Sequence, residues 1–85
     1  MTIDDPGPIT RVQTGVRLER RLLQVLKAVA AYKEMPLGDL LEGIVLHAFD
    51  GKAAFSRDTL ARIAELKKIY GLDLDARHSH RLKER

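Results

Sequence analysis

From Arg11 to Leu18 the chain alternates in character. Val12, Thr14, Val16 and Leu18 fall on one side, while Arg11, Gln13, Gly15 and Arg17 fall on the other. Period two over eight residues predicts a half-buried strand. A lone strand leaves its backbone donors and acceptors without partners, and no second run of this kind follows in the 85 residues. The simplest partner is another copy of the same strand, paired antiparallel across a twofold axis as an isologous dimer. Gly15 weakens packing within such a strand and is a place for a bulge, which would shift the side-chain phase.

After the strand the period becomes helical. Leu22, Leu26 and Val29 with Leu23 and Ala30 form an apolar stripe from Glu19 to about Lys33, and Arg20, Arg21, Lys27 and Lys33 stay polar. Glu19 sits in the first turn, where the helix dipole favours a carboxylate. Pro36 separates this helix from the next, because the residue before a proline is pushed out of helical geometry. The second helix carries Leu37, Leu40, Leu41, Ile44, Val45, Ala48 and Phe49, and Gly51 ends it. That apolar face is too wide for one helix contact, so a second partner surface is expected. A third helix is predicted over 57–70, capped by Ser56, with Asp58 at its positive end and Gly71 as its stop.

The predicted organisation is therefore a flexible arm at 1–9, a strand-helix-helix unit at 10–50, a helical segment at 51–71 and a basic, mobile tail at 72–85. The fold class is mostly α with one short β-strand and an extra C-terminal helix. Hydrophobic residues make up 45% of the chain but aromatics only 5%, so the core available to a lone copy is small. With no cysteine, neither a disulfide framework nor a thiolate metal site can supplement it, and oligomerisation is the usual remedy. The acidic, apolar-poor start is unlike a secretory signal, and no segment approaches the length of a membrane span. A soluble, cytoplasmic protein is the expectation.

Charge is distributed in blocks. Residues 10–33 carry six Lys or Arg against Glu19 alone, residues 34–50 carry four acids and no Lys or Arg, and residues 51–71 carry five bases against two acids. Segregation of this kind gives one face its own field, which suits a polyanion.

With Val16-Arg17-Leu18 entering a helix at Leu22-Leu23 and Leu26, a break at 34–36, and then Leu40-Leu41, Ile44, Val45 and Ala48, residues 10–50 resemble the MetJ/Arc ribbon-helix-helix family. The resemblance implies an intertwined homodimer whose two-stranded ribbon enters the DNA major groove. It implies base contacts from Arg11, Gln13, Gly15 and Arg17. Arg17 can pair with guanine and Gln13 with adenine, whereas Gly15 offers only close approach or a bulge that brings Thr14 forward. Phosphates would sit on the amides of Leu37 and Gly38 at the start of the second helix. Pro36 has no N–H there and Asp39 repels an anion, so Arg20 and Arg21 are candidate substitutes.

The resulting expectation is a sequence-specific repressor that binds double-stranded DNA as a homodimer or a pair of dimers. An antitoxin whose residues 56–85 wrap a toxin, and a dimer that holds another protein without DNA, are the alternatives. No catalytic motif, cofactor motif or metal-ligand spacing is present, and His78 and His80 lack a third ligand, so the chain reads as non-enzymatic, with no cofactor and no metal.

Overall fold

The structure, a computed structural model, describes residues 5–85, and the part of the predicted arm at 1–4 lies outside them. Three helices follow one another: α1 at Arg20–Tyr32, α2 at Leu37–Phe49 and α3 at Arg57–Tyr70, with a short 3-10 turn at Ala76–His78. α1 lies between the other two, and both pack against it. α3 runs antiparallel to α1. Near the start of α1, Arg21 donates to the carbonyl of Gly71 just past the end of α3 (3.0 Å). Near the other end, Arg62 stacks 4.9 Å over the Tyr32 ring.

The local chemistry accounts for these boundaries. Glu19 caps α1 by accepting from the Leu22 amide at 3.0 Å. Ser56 caps α3 through the Thr59 amide at 3.2 Å, and its hydroxyl also donates to the Thr59 hydroxyl at 3.1 Å. All three helices close with paired Schellman hydrogen bonds. In α2 these are Gly51 N–H to Ala48 and Lys52 N–H to His47, and in α3 they are Gly71 N–H to Lys68 and Leu72 N–H to Lys67. Gly51 and Gly71 take the left-handed backbone that this closure requires, with φ of 68° and 67°. α1 makes the same closure with Glu34 at φ 56°. A non-glycine residue there is strained by roughly 1–2 kcal/mol. Thr59 is buried and its hydroxyl depends on Ser56, so Ser56→Ala is expected to cost about 1 kcal/mol of stability, readable in a urea unfolding midpoint.

The core is small. Val25, Val29, Ala30, Leu40 and Leu72 are buried, with Leu26, Leu37, Ile44, Phe55, Ile63 and Leu74 half-buried around them. α2 sends only Leu40 fully inside. The Cα radius of gyration is 14.7 Å, against about 12 Å for a compact domain of this length.

One expectation needs correction. The predicted strand is not seen. Among the described residues there is no strand at all, so neither the antiparallel ribbon nor the ribbon-helix-helix intertwined architecture built on it is present. Among the described residues the backbone of 11–18 finds no partner strand, and Val12 and Val16 stay open to solvent, 81% and 75% exposed. Period two is necessary for a half-buried strand, but the second half of the sheet has to exist. Without a ladder Gly15 marks no bulge.

Residues 72–85, expected as a mobile tail, continue from α3 as a described segment. Leu72 is buried and Leu74 half-buried, and the segment folds back along α1 and α3. Asp75 then caps the 3-10 turn by accepting from the Arg77 amide (2.9 Å), while the Asp75 amide donates to His78 Nδ1 (3.0 Å).

Candidate nucleic-acid interface

Arg11, Gln13, Gly15 and Arg17 all lie on the exposed, irregular segment that leads into α1. The structure does not bring the four together on one rigid face. The Arg11 guanidinium is held against α2, donating through Nε and Nη2 to the two carboxylate oxygens of Glu42 at 3.0 and 2.9 Å, with Asp39 3.8 Å away. The paired Arg11 raises the hold on its own proton and keeps the Glu42 carboxyl below its ordinary range, mainly through that hydrogen bond. Gln13 and Gly15 are open to solvent, and nothing lies within 4 Å of where a Gly15 side chain would begin. Arg17 turns the other way and pairs with Glu84 near the C-terminal end.

Leu37 and Gly38 open α2, whose Pro36 cap supplies no side-chain hydrogen bond. Leu37 packs half-buried against the core, Gly38 is exposed, and Asp39 stands in the same first turn. Arg11 beside Asp39 offsets some of that negative charge.

The cations at the start of α1 have a neighbour that the sequence did not reveal. A cleft of about 550 Å³ is bounded by Arg17, Arg20 and Arg21 on one side and by Lys83 and Arg85 on the other, with Glu19 and Glu84 as its two acids. A neighbouring cleft of about 580 Å³ shares Glu19, Arg20, Arg21 and Arg85 with it and adds Gln24 and Tyr70. The five cations are not equivalent. Arg21 is a structural clamp, donating to Glu19 (3.1 Å), Asp73 (2.9 Å) and the Gly71 carbonyl, which docks the end of α3 on α1. Glu19 is held below its ordinary range first by the Leu22 amide and then by Arg21. Arg17 is matched by Glu84, a highly exposed pair of the kind that exchanges partners at little cost. Arg20, Lys83 and Arg85 make no ion pair among the described residues, so three cations face the cleft unneutralised.

Lys83 and Arg85 escaped the sequence reading because a polar, basic end reads as solvated chain. The available signal was the alternation of Leu72 and Leu74 ahead of it, which gives the segment an apolar edge with which to dock. Two of the three histidines serve local structure: His47 Nδ1 lies 2.7 Å from the Gly43 carbonyl within α2, and His78 closes the Asp75 cap. Among the described residues no group of three or more His, Asp or Glu could hold a metal ion, and no helix is long and apolar enough to cross a membrane.

Comparisons with protein families, curated proteins and solved structures give no match to this chain.

Proposed function

We propose that the protein is a cytoplasmic DNA-binding regulator that acts as a homodimer on double-stranded DNA. The observation that carries this reading is the convergence of Arg17, Arg20, Lys83 and Arg85 on one cleft at the start of α1, three of them without an internal counter-ion. Guanidinium and ammonium groups so placed suit phosphate oxygens, and neutralising several phosphates is the main source of affinity for duplex DNA. Arg17 can leave Glu84 for a stronger anion. With Gln13 open on the same segment, the two are the residues able to reach base edges with bidentate hydrogen bonds. Arg11, held by Glu42 and Asp39, contributes to anchoring the arm on α2 rather than to contact with bases.

The dimer rests on a separate observation. On α2, Leu46 is 64% exposed and Phe49 82%, with Val45 beside them. An exposed apolar strip on a chain with so little core of its own is a contact surface, and a second copy covers it without another gene product. A twofold pair then presents two cationic clefts, which fits a palindromic site. The toxin-binding alternative is less favoured, because the segment 56–85 that would wrap a partner is already packed on α1 through Leu72 and Arg21.

The test is a fluorescence-anisotropy titration of the purified chain against duplex from its own upstream region and a scrambled duplex of equal length. Tighter binding to the upstream duplex is expected, with Arg17→Ala bringing the two affinities together at unchanged helix content. Equal affinities in the unaltered protein, or a preference that survives the substitution, would overturn the assignment of Arg17 to base contact.

A further inference from the structure

A second cavity lies on the other side of the docked C-terminal segment, and the DNA reading makes no use of it. It has a volume of about 490 Å³ and opens between α1, α3 and residues 72–82. That is within the size range of small-molecule sites. Its walls are apolar: Leu22 and Leu26 from α1, Phe55 and Ile63 from the α3 side, and Leu74 and Leu82 from the returning segment. It is an open groove rather than an enclosed void, and Leu22 and Leu82 on its walls are 37% and 52% exposed, so apolar surface there remains in contact with water.

The polar groups are gathered at one lip: Lys67, Asp75, His78, Ser79 and His80. Their charges do not cancel. Arg77 already engages both carboxylate oxygens of Asp75, from Nε at 3.1 Å and from Nη2 at 2.9 Å. His78 Nδ1 accepts from the Asp75 amide, so that nitrogen is spent. The Asp75 carboxyl is held below its ordinary range first by the Arg77 hydrogen bonds and more weakly by the charge of Lys67. Lys67 makes no ion pair of its own among the described residues, so Arg77 and Lys67 together set two cations against that one carboxylate.

An apolar chamber with a cationic lip is the complement of one class of molecule. We propose that this cavity binds a small amphipathic carboxylate, its hydrocarbon body among Leu22, Phe55, Ile63 and Leu82 and its carboxylate at Lys67. The cavity is walled in part by the segment that also supplies Glu84, Lys83 and Arg85 to the cationic cleft, so occupancy of the one bears on the geometry of the other. The site itself does not depend on DNA binding.

Decanoate and decanol, which share a chain length and differ in charge, are the probes. Each is titrated into the full chain below its aggregation limit while amide and methyl NMR shifts are followed. Decanoate is expected to shift Leu22, Ile63, Leu74 and Leu82 saturably and to bind about tenfold tighter than decanol, the scale of one charge-assisted contact. Lys67→Met keeps helix propensity and is expected to erase the difference between the two probes. The proposal is overturned by absence of saturable shifts with decanoate, by equal affinity for decanol, or by shifts centred on Leu46 and Phe49. Decanoate-induced dissociation of a dimer would assign the cavity to a side chain of the second copy, and so overturn it as well.

Discussion

Leu46→Asp with Phe49→Asp is expected to leave a folded monomer at concentrations where the unaltered chain is expected to sediment as a dimer. Both side chains sit on the solvent side of α2, 64% and 82% exposed, so neither substitution removes a contact from the core around Leu40. Aspartate in the same positions puts two charges per copy into a contact that would have to exclude water. Like charges facing each other across a twofold axis oppose pairing further. DNA affinity should fall by orders of magnitude with dimer loss, because two half-sites bound together act at high effective concentration. Analytical ultracentrifugation across a dilution series, with circular dichroism to confirm helix content, reads both quantities. A dimer that survives both aspartates would move the contact away from α2.

Leu40→Ala is expected to have the largest effect on stability, about 2–5 kcal/mol. Leu40 is 3% exposed and is the one fully buried side chain that α2 contributes. With only five buried apolar residues in the core among the described residues, neighbouring side chains have little means of closing the space left behind. Single domains hold together by about 5–15 kcal/mol in total, so a loss of that size takes much of the margin, most of all in so short a chain. Urea unfolding followed by helix signal is the measurement. A change well under 1 kcal/mol would mean that α2 is not seated on α1 through Leu40.

The helical half of the fold was legible because its signals are local. Leu37, Leu40 and Ile44 recur at helical spacing, Ser56 and Gly71 bound α3 through single-residue chemistry, and Gly51 closes α2 in the same way. The end of α1 was expected at about Lys33, with Pro36 separating it from the next helix; what closes it is Glu34, which adopts a left-handed backbone that no residue-type rule assigns to glutamate. The strand failed for a different reason. Alternation at Val12, Val16 and Leu18 is the same whether or not a partner exists, and only pairing turns it into a ladder. The resemblance to ribbon-helix-helix proteins inherited that ambiguity, since its first element was the alternating segment.

The candidate site divides along similar lines. Arg17 and Arg20 stood out from charge blocks along the chain, which are visible in one dimension. Their meeting with Lys83 and Arg85 depends on Leu72 being buried and on Arg21 reaching across to Gly71 and Asp73, contacts 50 and 52 residues apart in sequence. The pairing of Arg11 with Glu42 spans 31 residues and was equally out of reach. The sign of the charge along the chain was readable. Which charges already have partners was not.

Binding of the DNA backbone by the cleft at the start of α1 is tested most directly by its salt dependence. The apparent association constant for duplex is measured from about 50 to 200 mM salt, for the unaltered chain and for a variant with Arg17, Arg20, Lys83 and Arg85 all changed to Ala. Each neutralised phosphate contributes roughly −0.9 to the slope of log K against log salt. Loss of up to four contacts per copy is expected to flatten the slope by about 3 or more, with affinity down by orders of magnitude and α3 still docked through Arg21. Identical slopes for the two proteins, or no salt-dependent binding by either, would contradict the account.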